Sequence, residues 1–223
     1  HYRDIIRENT AQKVAWFDES TRRQPFNLEE CAKLFPEDMN ELRRIWLSLE
    51  WATYGYMMLV AGLRPGEAAA FRLSDWVKGR GAVISRSIDS ETREVKGLKT
   101  DHKGTSAKPV IFNDRLENYL TLLSFEGYGP DDLLFTVSGR PIITDVSQKH
   151  FEGACKRAGV SAIGRTQYSL RHTYITELLK RADEKTVAQL VGHKKLRKEY
   201  DHRQARDFLH DRPDLHEIVT EIF

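Results

Sequence analysis

The chain has 223 residues, 35 of them Lys or Arg and 33 Asp or Glu, so its formal net charge is only +2. Its 40% content of hydrophobic residues is typical of a folded globular protein and excludes general disorder. The near-neutral total does not predict a nucleic-acid partner, so a DNA site would need local positive charge that is compensated elsewhere.

The first half of the chain is predicted to be mainly helical. Residues 1–24 are polar and are interpreted as the end of an inter-domain linker. Asn27 followed by Glu30 is a capping-box pattern that begins a helix ending near Pro36. Apolar residues at spacings of three and four from Glu37 to Ala61 predict one long helix, and Pro65 begins a short helix that runs to Phe71.

Three short stretches in the centre contain β-branched residues and predict a small antiparallel sheet: Ala82–Ile88, Arg93–Lys96 and Ala107–Phe112. Helical periods return at Arg115–Phe125, Val146–Ala158, Leu170–Lys180 and Lys185–Val191. The predicted class is α+β, mainly α-helical with one three-stranded antiparallel sheet.

The sequence argues against a cofactor, a metal and a membrane-spanning helix. The chain has no Walker A loop or GxGxxG motif and no His–carboxylate spacing typical of a metal site, so we expect neither a cofactor nor a metal. The longest apolar run, about Tyr54 to Leu63, is too short to cross a bilayer. Cys31 and Cys155 are interpreted as buried thiols in a reducing compartment, with a disulfide as the open alternative.

Two segments could bind an anion. In Ala61-Gly-Leu-Arg-Pro-Gly-Glu67, Arg64 precedes a helix start, where backbone N–H groups favour negative charge, and Glu67 lies nearly one turn later. An ordinary Arg–Glu surface pair is the alternative for this segment alone. In Tyr168-Ser-Leu-Arg-His-Thr-Tyr174, Arg171 begins a second helix whose other face is apolar.

The ordered set of motifs resembles the tyrosine recombinase (phage integrase) family. Its marks are AGLRPGEAAAFRLSDW at 61–76, SLRHTYITELL at 169–179, LVGH at 190–193 and YDH at 200–202. Members of the family break and rejoin DNA through a 3′-phosphotyrosyl bond without a metal. The resemblance implies that Tyr200 is the nucleophile, that Arg64 and Arg171 clamp the phosphate oxygens, and that His193 binds the phosphate or assists the tyrosine.

The resemblance also implies that a lysine on the central hairpin protonates the leaving 5′-oxygen, which is a poor leaving group without an acid. Lys99 in Leu98-Lys99-Thr100 fits the family pattern best, with Lys96 and Lys103 as alternatives. The hairpin lysines that do not act as the acid, Lys108 among them, are interpreted as solvated charge or as contacts to the DNA backbone.

Two departures from the family pattern concern the base and the nucleophile. Tyr168 stands where the family usually has a histidine. It is counted among the predicted catalytic residues because a phenol can hydrogen-bond a phosphate, but it is a weak proton acceptor, so no residue is assigned as general base. His172 is next to Arg171 in sequence but would point about 100° away from it on a helix, so it cannot take the place of the missing histidine. Tyr200 follows His193 by seven residues rather than the usual nine or so, so either the helix that carries the tyrosine begins earlier or Tyr200 needs a rearrangement to reach the phosphate. Tyr174 is interpreted as a core residue.

Charge is localised near the predicted nucleophile. Residues 194–206 carry a net charge of +4 and residues 207–223 one of −4, so the acidic tail masks the basic segment in the total. We expect contacts with DNA phosphates from basic side chains of the hairpin and of this segment: Lys96, Lys103, Lys194, Lys195, Arg197 and Lys198. Glu67, His172 and His202 are expected to support the site.

The family resemblance implies a domain organisation and partners. Residues 1–24 would be the linker from a missing upstream DNA-binding domain, 25–206 the catalytic domain, and 207–223 a tail that docks on a neighbouring protomer or packs on its own domain. The expected partner is a double-stranded DNA recombination site. We expect a monomer when free, a homotetramer in the synaptic complex, accessory DNA-bending factors, no membrane, and a cytoplasmic, nucleoid-associated location in a prokaryotic cell.

Three other functions are alternatives to a recombinase. A type IB topoisomerase shares the tyrosine chemistry, but the compact hairpin and the YDH ending favour the recombinase. A catalytically silent DNA-binding relative is suggested by Tyr168 and the short connection to Tyr200. A metal-dependent nuclease using histidines has no ligand spacing to support it.

Overall fold

The structure is a computed structural model that describes residues 24–98, 107–192 and 202–223. The helices are α1 (Leu28–Leu34), α2 (Met39–Trp46), α3 (Leu49–Val60), α4 (Pro65–Ala69), α5 (Asp114–Ser124), α6 (Thr144–Ala158), α7 (Tyr168–Leu179), α8 (Glu184–Val191), α9 (His202–Asp211) and α10 (Pro213–Ile222). The strands are β1 (Trp76–Val77), β2 (Gly81–Ile84), β3 (Arg86–Ile88), β4 (Val95–Gly97), β5 (Lys108–Ile111), β6 (Thr136–Val137) and β7 (Arg140–Pro141).

The capping box predicted at the first helix is confirmed. The Asn27 side chain accepts a hydrogen bond from the Glu30 N–H at 2.8 Å, and the Glu30 carboxylate accepts one from the Asn27 N–H at 3.0 Å. Both groups thereby satisfy backbone donors that a helix start leaves unpaired.

The single long helix predicted from Glu37 to Ala61 is wrong, because the structure has α2 and α3 there. Leu47 adopts φ 69°, and the Ser48 hydroxyl accepts a hydrogen bond from the N–H of Trp51, so α3 begins with its own cap. The break folds α2 back onto α3. A Cβ on Gly55 would lie 2.5 Å from the Trp46 ring, so the two helices approach closely only because residue 55 is glycine.

A three-stranded antiparallel sheet is present, but its strands differ from the predicted ones. Its order is β1-β2-β5, with Ala82 opposite Val110 and Ile84 opposite Lys108. The predicted strand Ala82–Ile88 divides into β2 and β3. The second part pairs with β4 in a separate two-stranded hairpin, and β6 and β7 form another.

The core is centred on α3 and α7. Both helices are buried over most of their length, as expected of helices that are apolar on several faces. Tyr174 on α7 has 0% of its surface exposed, which confirms that it is a core residue. The contact between α3 and α7 brings the loop after α3 beside the first turn of α7.

The last helix packs on the body of its own chain. Leu215 and Val219 of α10 are fully buried and Ile222 is 6% exposed. The Tyr56 hydroxyl donates to the carbonyl oxygen of Phe223 at 3.2 Å, which fixes the end of α10 beside α3.

Two further expectations concern the cysteines and a membrane. Cys31 and Cys155 are buried free thiols, so the disulfide alternative is wrong, and burial raises the pKa of each to about 12. Across the described ranges, no helix has both the length and the apolar character needed to span a bilayer.

Candidate active site

Arg64 lies in the loop between α3 and α4 and is held by a carboxylate. Gly62 adopts φ 58°, which turns the chain out of α3, and Pro65 occupies the first turn of α4. Glu67 accepts a hydrogen bond from Arg64 Nη1 at 2.7 Å through Oε1 and one from the Arg64 backbone N–H at 3.0 Å through Oε2. The Arg64 side chain is 33% exposed and that of Glu67 only 4%, so the pair orients Arg64 toward the surface from a buried anchor.

Arg171 is held by backbone carbonyls from two other elements. Its Nη1 donates to the carbonyl oxygen of Gly62, and its Nη2 donates to that of Val191 at 2.7 Å. Arg171 is 8% exposed. Because Val191 is the last residue of α8, this one guanidinium joins the ends of α3 and α8 at the first turn of α7.

Lys108 completes a buried cluster of charges. Its Nζ donates to Glu67 Oε2 at 2.6 Å, and its side chain is 1% exposed. A Cβ on Gly192 would lie 3.0 Å from Lys108 Cδ, so the aliphatic part of the lysine runs beneath the glycine that follows α8. Glu67 therefore accepts hydrogen bonds from two cationic side chains, Arg64 and Lys108.

The pKa shifts follow from burial and from the charges in this cluster. Burial, with smaller contributions from Arg171 and Arg64, lowers the pKa of Lys108 to about 7 against the opposing effect of Glu67. Burial and then Arg64 lower the pKa of Arg171 to about 10. Burial alone would raise the pKa of Glu67, but Lys108, Arg64 and Arg171 outweigh it and hold the pKa well below its usual range.

Tyr168 is the first residue of α7 and lines a cavity of about 200 Å³ together with Arg64 and Glu67. The other walls come from β3, the turn after it and Thr144 of α6. The structure therefore brings Tyr168 close to the loop that carries Arg64. His172 lies about one turn further along the same helix and is half-buried.

The remaining predicted residues fall into two groups. Lys96 is on β4, where its Nζ pairs with the carboxylates of Asp89 at 3.0 Å and Glu94 at 3.8 Å. His202 begins α9. Outside the described residues lie Lys99, Lys103, His193, Lys194, Lys195, Arg197, Lys198 and Tyr200.

Sequence reasoning missed three parts of this site. Lys108 was interpreted as solvated charge or a DNA-backbone contact, which its burial contradicts. The available signal was its position at the start of an apolar strand. The carbonyl acceptors of Gly62 and Val191 leave no signal in side-chain identity, because any residue supplies a carbonyl.

In the described part of the chain, no group of three or more His, Cys, Asp or Glu side chains could hold a metal.

The family of this chain is shown by its sequence. The sequence profile of the phage integrase family matches residues 37–205, so the chain belongs to that family, the tyrosine recombinases. Curated protein sequences give no match.

Solved structures with the same fold include three recombinases. The Tn1549 transposon integrase in complex with circular intermediate DNA is 16% identical, with a TM-score of 0.62 over 87% of this chain and 68% of that one. The integrase from mycobacterium phage Brujita is 14% identical, with a TM-score of 0.60 over 92% and 60%. The XerA recombinase is 18% identical, with a TM-score of 0.57 over 85% and 65%. The chain thus spans about two thirds of the length of these relatives.

Proposed function

We propose that this chain is the catalytic part of a site-specific DNA recombinase, an integrase or transposase of a mobile element or phage. It would cut and rejoin DNA through a 3′-phosphotyrosyl intermediate. The observation that carries the proposal is the buried cluster of Arg64, Glu67, Lys108 and Arg171, in which three cationic side chains surround a single carboxylate.

The cluster has an excess of positive charge. Among the residues that the structure describes in this cluster, Glu67 balances one cation, so the two guanidiniums and the lysine leave at least one positive charge uncompensated there, even when Lys108 is neutral. Uncompensated buried charge is costly, so such a site is best suited to an anion that arrives from outside. The non-bridging oxygens of a DNA phosphate fit this requirement, because guanidinium groups bind phosphate in bidentate geometry.

The same arrangement stabilises charge that develops during phosphoryl transfer. In the proposed first step, the Tyr200 hydroxyl releases its proton to water and its oxygen attacks phosphorus, so that a 3′-phosphotyrosyl bond forms and the bond from phosphorus to the 5′-oxygen breaks. Lys99 would give its proton to that 5′-oxygen, and His193 would donate a hydrogen bond to the phosphate. Arg64 and Arg171 would hold the equatorial oxygens, where negative charge accumulates in the transition state. The released 5′-hydroxyl, or one from a partner strand, reverses the step.

The proposed partners follow from this chemistry. The substrate would be a double-stranded recombination site, bound by a monomer that assembles into a homotetramer at synapsis. Lys96, Lys103 and the basic residues from Lys194 to Lys198 would contact DNA phosphates and make binding depend on salt. To contact DNA, the Lys96 ammonium would have to leave the Asp89 carboxylate or bind the carboxylate and a phosphate together. The place of action would be the cytoplasm of a prokaryotic cell.

A catalytically silent DNA-binding relative is the second candidate. It is favoured by Tyr168, which lines the cavity beside Arg64 where the family usually has a histidine. A phenol donates a hydrogen bond to phosphate but is a weak proton acceptor at neutral pH, since its ordinary pKa is about 10.

A covalent-trapping experiment separates the two candidates. The full-length protein is incubated in EDTA with a nicked suicide duplex whose site has first been selected by the protein from a random duplex library. A recombinase gives a covalent protein–DNA band that is lost in Tyr200→Phe. Selective binding without a covalent band would support the silent relative, and a band that persists in Tyr200→Phe would overturn the nucleophile assignment.

A further inference from the structure

We propose that Lys108 is a positioning residue of the phosphate site, which fixes the Glu67 carboxylate beneath Arg64 and supports the Gly192 turn that leads to His193. The expected effect of Lys108 on DNA cleavage rests on the proposed function. The position that Lys108 gives to the Glu67 carboxylate rests only on the geometry of the cluster.

The first part of the argument is the geometry around Glu67. Its two carboxylate oxygens are divided between Arg64 and Lys108: Oε1 accepts from Arg64 Nη1 at 2.7 Å, and Oε2 accepts from Lys108 Nζ at 2.6 Å. Oε2 also accepts the Arg64 backbone N–H at 3.0 Å. A carboxylate held at both oxygens cannot rotate freely, so its orientation, and that of the guanidinium it binds, is fixed by the lysine.

The second part is the route by which Lys108 reaches Glu67. Lys108 is the first residue of β5, opposite Ile84 of β2, so the sheet sets the origin of its side chain. The side chain then passes beneath Gly192, where a Cβ would approach its Cδ to 3.0 Å. Gly192 adopts φ 69°, and it directly precedes His193. One buried side chain thus contacts both the anchor of Arg64 and the turn that carries a second predicted phosphate ligand.

A direct role for Lys108 in protonating the leaving group does not fit this geometry. The side chain is 1% exposed and its nitrogen already donates to Glu67. The charged groups that act on it are Glu67, Arg171 and Arg64. Whether Lys108 carries its proton or is neutral, it can still donate a hydrogen bond to Glu67, so the positioning role does not need a fixed protonation state.

The test compares the variants Lys108→Met, Lys108→Arg and Glu67→Gln with wild type in single-turnover cleavage of the suicide duplex. A methionine keeps most of the length and volume of the lysine but has no donor. We expect Lys108→Met to slow cleavage by about 10- to 100-fold, the order found when a catalytic group is displaced by about 1 Å, while the Kd for DNA changes less than about twofold. Lys108→Arg, which restores a donor, should recover part of the rate.

A double variant tests whether Lys108 acts through Glu67. If it does, Lys108→Met should slow the Glu67→Gln protein much less than it slows wild type, because the carboxylate that it orients is gone. Full additivity of the two effects would overturn the proposal. Lys78→Met is the matched control, because Lys78 is an exposed lysine in the turn between β1 and β2 of the same sheet. The Lys78→Met protein should cleave DNA at the wild-type rate.

A measurement that does not need activity separates this proposal from the proposed function. The side-chain Nε–H signal of Arg64 is recorded by ¹⁵N NMR of the full chain and assigned with Arg64→Lys. We expect it to shift or broaden in Lys108→Met and to stay in place in Lys78→Met. An unchanged Arg64 signal in folded Lys108→Met would overturn the positioning role, even if wild type cleaves DNA. A shifted signal with no cleavage by wild type would overturn only the proposed function.

Discussion

The loop that carries Arg64 and the first turn of α7 that carries Arg171 hold the same type of side chain in two different ways. Arg64 is one-third exposed and is bound by the carboxylate of Glu67, three residues along the chain. Arg171 is 8% exposed and is bound by the carbonyl oxygens of Gly62, in the loop after α3, and Val191, the last residue of α8.

The difference shows that an ion pair within one loop and hydrogen bonds between distant segments contribute differently to the stability of the fold. Arg64 can be removed without leaving a buried backbone group unpaired. Removing Arg171 leaves two carbonyl oxygens without their donors, and a buried acceptor that loses its partner is costly. Arg171 therefore contributes to the fold as well as to the proposed phosphate site, whereas Arg64 serves mainly the site.

The strongest way to test this contrast is to truncate each arginine. We expect both Arg64→Ala and Arg171→Ala to lower the rate of covalent complex formation by about 100-fold or more, since in the proposed mechanism each arginine donates to the transition state. Arg171→Ala should also lower the free energy of unfolding by about 2 to 4 kcal/mol. Arg64→Ala should change it by less than about 1 kcal/mol. Urea unfolding measures the difference, and equal losses of stability would contradict the account.

The clamp on Arg171 depends on Gly62, so a side chain there should weaken it. A Cβ at residue 62 would lie 2.4 Å from the Tyr174 ring, and φ 58° is unfavourable for any other residue. Gly62→Ala should lower the free energy of unfolding by about 2 to 3 kcal/mol.

Gly79→Ala is the matched control for that variant. Gly79 has φ 71°, but a Cβ there would meet nothing within 4 Å, so only backbone strain is added, about 1 to 2 kcal/mol. The excess loss in Gly62→Ala measures the contact with Tyr174. If both variants lose the same free energy of unfolding, the Tyr174 ring does not restrict the side chain at position 62.

The Arg64 side of the comparison predicts a pH dependence through Lys108. Burial lowers the pKa of Lys108 to about 7 from an ordinary value of 10.5, so above about pH 7 the unfolded chain binds more protons than the folded one. The free energy of unfolding should therefore rise between about pH 7 and 9, by up to about 1.4 kcal/mol per pH unit. Lys108→Met should lack this rise. An identical pH profile in the two proteins would mean that Lys108 is not desolvated.

The smallest expected effect concerns Tyr174, which packs against the loop without a polar contact. Within the part of the chain that the structure describes, its buried hydroxyl has no hydrogen-bond partner, and burial raises its pKa. Tyr174→Phe should change the free energy of unfolding by less than about 1 kcal/mol and leave cleavage intact. Loss of the covalent complex in this variant would show that Tyr174 has a chemical role.

The sequence was most informative where the structure depends on neighbours along the chain. The capping box at Asn27 and the pairing of Arg64 with Glu67 span three residues each, so residue identity and spacing were enough to predict them. The tertiary contacts were not accessible in this way. The clamp on Arg171 uses backbone carbonyls, and the burial of Lys108 depends on how β5 packs beneath Gly192.

The division of the predicted long helix has a similar cause. The apolar period is continuous from Leu42 to Val60, but Ser48 offers a cap and Trp46 gains a site against Gly55 only if the chain folds back. Helical periodicity records which residues are buried, and it does not record where a helix ends when both halves are apolar.

The central claim is that the two arginines serve a phosphate attacked by Tyr200, and the most direct test is to identify the residue that carries the DNA. The covalent complex of the full-length protein is trapped on the suicide duplex, digested with a protease and analysed by mass spectrometry. The account predicts a peptide containing Tyr200 joined to the 3′-phosphate of the cleaved strand. A nucleotide on Tyr168, on Tyr174 or on a residue that is not a tyrosine would contradict it.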